Sequence, residues 1–381
     1  MLRFFTAGET HGKCLTVIVE GMPSGVRISL DKINEQLARR QQGYGRGGRM
    51  LIEKDKAEIL SGVRGGVTLG SPIAIKIENR DWANWEKIMG TEESNGEKAV
   101  DCPRPGHADL TGGMKYNHTD LRNVLERASA RETAARVAVG ALVRQVLEPF
   151  GVEFLSHVKR IGAVEDTADV NAPDFFEKVK NSPVSFGNED DAKKAMEYID
   201  NIKESGESCG GIVETIVKGL PAGLGSYVHY DRKLDANIAF GIMSIQAIKG
   251  VEIGMGFGVS ELPGSKVHDE IEYSGTFSRI TNNAGGIEGG MSNGEPVIVR
   301  AAMKPIPTLY NPLRTVNIKD KSPHKATVER SDICAVPAGS VVVEAAVAFE
   351  ITKAFLEKFS GDCMEDIKAY YEIYNDRIKK F

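Results

Sequence analysis

Apolar and polar positions change period several times along the chain, and each change predicts an element. Cys14–Glu20 is rich in β-branched residues, with Thr16, Val17, Ile18 and Val19 in succession, and predicts a strand. Ser29 then stands where a helix cap would. Ile33 and Leu37 follow four apart, so a helix is predicted to about Arg40, ended by Gly43 and Gly45. Ala57–Val63 and Ser71–Glu78 read as strands around a Gly-rich turn, and polar Thr91–Lys98 as a surface loop. Asp120–Phe150 is the longest helical stretch. It is crowded with Ala128, Ala130, Ala134, Ala135, Ala138, Gly140 and Ala141, which favour helix and let neighbours approach closely, so it predicts a central buried helix. Asp190–Glu204 reads as a charged amphipathic helix on the outside, and the alternating Gly211–Lys218 as a strand. Lys233–Ile248 and the Ala-rich Val341–Phe359 read as helices, and Asp362–Lys379 as a more polar terminal one.

The strands cluster as neighbours instead of alternating with helices, which favours an α+β fold over a doubly wound sheet. No Pro- or Ser-rich linker and no fixed-period repeat divides the 381 residues, a length that allows one large domain or two smaller ones. With 41% hydrophobic and 27% charged residues, the chain has the composition of a soluble globular protein. A net charge of −5 argues against a dedicated nucleic-acid binder. Cys14, Cys102, Cys209, Cys334 and Cys363 contain no CxxC pair and are odd in number, so they form no disulfide framework and suit a reducing cytoplasm. Met1–Phe5 is too short and too soon polar for a signal peptide, and no apolar run reaches the ~20 residues a membrane span needs.

Three nucleotide or metal signatures nearly appear and fail. Gly8-Glu9-Thr10-His11-Gly12-Lys13 is one residue short of a phosphate loop, with Cys14 where the magnesium-binding hydroxyl belongs. Gly254-Met255-Gly256-Phe257-Gly258 brings its third glycine too early for a dinucleotide fingerprint. No His/Cys spacing fits zinc, and no metal site is expected.

Five other clusters carry chemistry. Arg39, Arg40, Arg46 and Arg49 lie among Gly43, Gly45, Gly47 and Gly48, a pattern suited to phosphate and carboxylate oxygens and equally to a solvated basic loop. Arg104-Pro105-Gly106-His107-Ala108-Asp109 presents a histidine from a tight turn, as the segment around His11 does; histidine exchanges a proton near neutral pH, although a lone one is more often a structural hydrogen bonder. Arg127-Ala128-Ser129-Ala130-Arg131-Glu132-Thr133-Ala134 places charges on a small-residue helix, where they must be paired or bind an ion; an internal salt-bridge network with Glu132 is the plainer reading. Asn282–Gly290 followed by Lys304-Pro305-Ile306-Pro307-Thr308 suits a phosphorylated cofactor or a flexible turn before a rigid segment. Arg330-Ser331-Asp332, if extended, points Arg330 and Asp332 to one side; a surface ion pair is its plainer reading.

In this order and from end to end, these segments resemble the chorismate synthase family. The family's GESHG appears as Gly8–Gly12, its RPGHAD as Arg104–Asp109 and its RSSARETA as Arg127–Ala134, followed by the Asn-Ala-Gly-Gly, Lys-Pro and Arg-Ser-Asp segments. Thr10 and Ala128 replace serines; Thr10 keeps the hydroxyl, whereas at Ala128 any flavin contact must come from backbone. The resemblance implies one domain over residues 1–381: a layered sandwich of central helices between two antiparallel β-sheets, assembled as a homotetramer. It implies a carbon–oxygen lyase that eliminates phosphate from 5-enolpyruvylshikimate 3-phosphate in an anti-1,4 sense. Reduced FMN would lend electron density and recover it, with no net redox change.

The implied catalytic residues are His11, to protonate the leaving phosphate, His107, beside flavin N1, and Asp332, to accept the proton. Substrate-side residues would be Arg40, Arg46, Arg49, Ser129, Arg131 and Arg330. FMN contacts would come from Arg127, Ala128, Ser129, Gln246, Ala247, Gly289, Lys304, Pro305, Ile306, Pro307, Thr308 and Arg330. Arg40 and Arg46 also fall in the family's NADP site. NADPH is expected only as a flavin reductant, used through a separate reductase, since no added reductase domain is visible. Two rivals differ by test: an oxidoreductase would consume reductant each turnover, and an RNA-binding module would show steeply salt-dependent affinity.

Overall fold

Two antiparallel sheets enclose the long helices. The computed structural model describes every residue except 49–51, 93–95 and 330. Strands β1 (Arg3–Ala7), β2 (Cys14–Glu20), β3 (Ala57–Ile59) and β4 (Ile73–Glu78) form the first sheet, ordered β1-β2-β4-β3. The register pairs Val17 with both Thr6 and Ile75. Leu15, Val17 and Val19 of β2 and Ile73, Ile75 and Ile77 of β4 are buried on one face, while Phe5 and Ile18 stand exposed on the other. Strands β5 (Glu153–Ile161), β6 (Val164–Glu165), β7 (Gly211–Lys218), β8 (Ile248–Ile253) and β9 (Val297–Met303) form the second sheet, ordered β8-β9-β7-β5-β6. Each neighbouring pair in it is antiparallel.

The principal helices are α1 (Leu30–Gln41), α2 (Asp109–Tyr116), α3 (Arg122–Ala128), α4 (Thr133–Val143), α5 (Glu189–Glu204), α6 (Leu234–Met243), α7 (Val336–Lys358) and α8 (Met364–Ile378). Helix α4 packs on the first sheet, α7 on the second, and the two pack on each other with α1 alongside. The close approach rests on small residues: a Cβ on Gly140 would lie 2.5 Å from the Cα and carbonyl oxygen of Ala345. This is the expected α+β sandwich of helices between antiparallel sheets.

Helix α1 shows how sequence places a functional side chain. Ser29 caps it by accepting from the Lys32 amide at 3.4 Å, with Asp31 in the first turn and Arg39 and Arg40 in the last, complementing the helix dipole. Ile33, Leu37 and Arg40 share its buried face, so Arg40 is carried inward with the apolar residues.

Several expected boundaries move. The single helix over Asp120–Phe150 is instead α3, a 3₁₀ turn at Ala130–Glu132, α4 and two further 3₁₀ turns. The break falls at Ser129, which is extended and whose hydroxyl accepts from the Arg131 amide at 3.3 Å; a local side-chain bond competes there with the helix ladder. The helix expected over Lys233–Ile248 ends at Met243, and Ile248 opens β8, whose ladder with β9 overrides helix propensity. Helix α7 starts at Val336, ahead of the expected Val341, with Pro337 in its first turn. The strand expected over Ala57–Val63 is only β3, with Val63 in a separate two-residue hairpin. Among the described residues no helix is long and apolar enough to cross a membrane.

Candidate active site

The turn between β1 and β2 carries His11. Gly8 opens it at φ 111°, where a Cβ would strike the Cys14 carbonyl at 2.4 Å. Glu126 of α3 holds the turn. Its carboxylate takes the His11 amide at 2.8 Å and His11 Nδ1 at 2.8 Å, and its carbonyl takes the Thr10 amide and hydroxyl at 2.9 and 2.8 Å. The imidazole stacks on Trp85, centroids 3.7 Å apart. Burial resists ionisation of Glu126, but hydrogen bonds and charge from His11, with Arg122 3.1 Å away, hold it below the ordinary carboxylate range.

Beside this turn lies a buried arginine pair. Asp55 Oδ1 accepts from Arg131 at 2.6 Å and Oδ2 from Arg40 at 3.3 Å. Arg40 also reaches the Thr133 hydroxyl and the Ala130 carbonyl. Asn79 joins the pair to the histidine turn, accepting from Arg131 at 2.8 Å and donating to the carbonyls of Glu9 and Gly12. Burial pushes the Arg40 guanidinium down to about 10; Asp55 opposes this, and the positive charges of Arg131 and Arg46 add to it. Asp332 accepts from the Gly47 amide at 2.6 Å and pairs with Arg46 Nε at 3.2 Å. A Cβ on Gly47 would meet the Ser331 carbonyl oxygen at 2.8 Å, so glycine there lets the arginine loop lie on the Asp332 segment.

His107 forms a second group. Its Nδ1 lies 2.5 Å from Asp109, a fully buried carboxylate that also receives the Arg104 amide and guanidinium. Arg104 continues to the Thr308 hydroxyl at 2.9 Å, and Lys304 donates to the Gly106 carbonyl, so the His107 turn and Lys304–Thr308 are one unit. Burial, then the charge of Lys249, loosens the proton on Lys304. The Lys304 amide bonds the carbonyl of Ala247, which is held at φ 70°, a strained conformation for a residue with a side chain. Next to it, Gln246 Nε2 donates to Glu132 at 3.2 Å, while its Oε1 is buried and meets no donor among the described residues.

Thus Arg40, Arg131 and the His11 turn converge through Asp55 and Asn79, with the charges of Arg46 and Asp332 felt at Arg40. His107 and Thr308 converge through Arg104, with Lys304 and Ala247 joined to the same turn through the Gly106 carbonyl. Ile306 joins the latter edge by accepting from the Ser208 hydroxyl at 2.6 Å, between Pro305 and Pro307. Arg127 does not join the buried pair: it lies exposed and holds the carbonyls of Thr6 and Gly8. Ser129 and Ala128 sit at the α3 break. Gly289 lies in the tight turn of a short hairpin, residues 287–292, whose bonds run to Pro221, Gly223, Leu224, Leu234 and Arg279 and, among the described residues, not into either group. Arg49 and Arg330 lie outside the described residues. Sequence reasoning missed Glu126, Asp55, Asn79 and Trp85. The i,i+4 spacing of Arg122 and Glu126 was a visible signal; Asp55 and Asn79 carried none.

Chemically, the arrangement offers guanidinium and ammonium groups for a polyanion and two imidazoles, each anchored at Nδ1 by a buried carboxylate. Such groups can bind an anionic substrate and move protons at its edge.

The family model for chorismate synthase matches residues 2–356. Chorismate synthase of Geobacter metallireducens is 52% identical over 393 residues, covering 100% of both chains. That of Desulforamulus reducens is 55% identical over 375 residues, covering 97% of each. A crystal structure of chorismate synthase superposes with a TM-score of 0.81 at 45% identity, covering 100% of this chain and 99% of that one. With the family pattern, whole-length relatives and the same fold all in agreement, the chain belongs to the chorismate synthase family.

Proposed function

We propose that the chain, acting as one catalytic unit, converts 5-enolpyruvylshikimate 3-phosphate to chorismate by anti-1,4-elimination of phosphate. The observation that carries this reading is a buried arginine pair, Arg40 and Arg131, held by Asp55 and joined through Asn79 to the carboxylate-anchored His11. Arg40, Arg46, Arg131 and Ser129, with Arg49 and Arg330, bind the phosphate and carboxylates. His11 protonates the departing phosphate, which leaves with the electron pair of the C–O bond. His107 faces the cofactor ring, and Asp332 is the final acceptor of the proton lost from the ring.

The residues fit reduced FMN. Gln246 Oε1 is a buried acceptor that meets no donor among the described residues, matched to a ring N–H, and Lys304 beside Lys249 is a half-buried cation whose loosened proton an anionic phosphate would hold. Ala247, Pro305–Thr308, Arg127–Ser129 and Gly289 complete the assignment. When bound, reduced FMN supplies electron density for breaking the C–O bond without net redox change. Arg40 and Arg46 double as the NADP contacts of the family, but reduction of the flavin is assigned to a separate reductase.

Five free cysteines and the lack, among the described residues, of a membrane-length apolar helix support a cytoplasmic setting. The assembly is assigned as a homotetramer, for which exposed Tyr273 and Phe277, ring centroids 5.0 Å apart, supply an apolar contact pair. The reading is tested anaerobically with photoreduced FMN: phosphate and chorismate should form one to one over many turnovers per flavin. Stoichiometric flavin oxidation, or NADPH loss equal to product, would sink it in favour of an oxidoreductase.

A further inference from the structure

Glu126 accepts hydrogen bonds from Thr10, His11 and Arg122. Both carboxylate oxygens are turned to His11, one to its amide and one to Nδ1, and the backbone carbonyl takes both donors of Thr10. The carboxylate has no solvent exposure. On the far side of the imidazole, Trp85 stacks at 16° and is itself fixed by donation from Nε1 to Asp81 at 3.1 Å. A rotation of the imidazole about its Cβ–Cγ bond would lose the Nδ1 bond and the stacking together. Among the described residues, the charged groups around the ring are Glu126, Arg122, Lys98, whose ammonium lies 3.9 Å from the Trp85 ring centre, Glu9 and Lys13 on the same turn, and Glu329, paired with Arg122 at 2.9 Å. Arg122 also donates to the Lys98 carbonyl, so the cation beside Glu126 is locked.

We propose that Glu126 is a positioning residue for His11: it fixes the ring plane and keeps hydrogen on Nδ1, so that Nε2 is the atom at which the proton is given and regained. This rests on the reading of His11 as the acid that meets the leaving phosphate. An ionised carboxylate can only accept, so the hydrogen between Glu126 and Nδ1 belongs to the imidazole. The charge also stabilises the imidazolium form that precedes donation. Arg122 tempers that charge without removing it. The second histidine is built differently: Asp109 divides itself between His107 and three donors of Arg104, whereas the Glu126 side chain gives both oxygens to His11 and shares only one of them with Arg122.

The test combines histidine ¹⁵N spectra with kinetics on wild type, Glu126→Gln, His11→Ala and the double variant. His11→Ala identifies the His11 resonances. The wild-type enzyme should show the Nδ1–H tautomer for neutral His11, and Glu126→Gln should redistribute it towards Nε2–H. Turnover in Glu126→Gln should fall about 10²–10⁴-fold with KM little changed. The alkaline limb of its pH–rate profile should move to lower pH, a change that loosened packing alone would not produce. In the His11→Ala background the same substitution should cost under about threefold, because coupled groups are non-additive. An Nε2–H tautomer in the wild type overturns the proposal without any variant, so a misfolded Glu126→Gln would not shield it. Additive losses in the double variant also overturn it. If the tautomer shifts as expected but His11→Ala turns over at the wild-type rate, the positioning stands and the assignment of His11 as the acid falls.

Discussion

Asp55→Asn tests whether the buried arginine pair is built to receive an anion. The substitution keeps volume and one carbonyl oxygen but removes the charge shared by Arg40 and Arg131. The three side chains are at most 6% exposed, so water cannot take over the lost partner. Removing one member of a buried ion pair costs about 3–5 kcal/mol. Asparagine retains an acceptor worth roughly 1 kcal/mol, and Glu53 remains 3.8 Å from Arg131. The expected loss is therefore about 3 kcal/mol, roughly a hundredfold in the folding equilibrium. Urea unfolding of both proteins, with and without inorganic phosphate, measures it. Phosphate should restore more stability to the variant, because the uncompensated guanidiniums bind an anion more tightly and ligand binding stabilises in proportion to the logarithm of occupancy. A loss below about 1 kcal/mol, or equal stabilisation of both proteins by phosphate, would refute the reasoning.

Three further outcomes are expected. Gly140→Ala gains about 1 kcal/mol of helix propensity but drives a methyl group into the backbone of Ala345, so net destabilisation of about 1–3 kcal/mol should appear in urea unfolding. In Asp109→Asn the sign follows from a depressed carboxylate: burial opposes the charge, but His107 and Arg104 outweigh it and hold the group well below the usual range. Its contribution is present above the unfolded value near ~3.9 and is lost as pH falls through the folded value. The stability gap between wild type and variant should therefore be constant from neutral pH to about pH 5 and shrink below about pH 4 in urea titrations at stepped pH. Arg46→Ala should raise KM for the phosphorylated substrate, since a charged hydrogen bond is worth roughly 1.5–3 kcal/mol; an unchanged KM would remove Arg46 from the substrate site.

Much of the candidate site was legible because its residues arrive in contiguous runs. The turns around His11 and His107, the Arg-Gly loop and the Lys304–Thr308 segment declare their chemistry by residue type. The roles within those runs were less legible. Arg127 and Arg131 look equivalent on a continuous helix, yet the break at Ser129 sends one to the exposed Thr6–Gly8 backbone and the other to Asp55. Asp109 and Glu126 read as ordinary acids until the histidine each one anchors is seen.

By itself, the sequence determined whatever depends on neighbours along the chain: β2 over Cys14–Glu20 and β7 over Gly211–Lys218, the Ser29 cap, the inward face of α1 that carries Arg40, and the family to which the motifs belong. Only the tertiary structure decided which carboxylate meets which cation. Asp55, Asn79 and Glu126 come from segments far apart, and β8 exists because β9 offers it a ladder. Periodicity and caps are short-range properties of one segment. Pairing and burial depend on every segment that closes over a position, so they exist only once the layers have assembled.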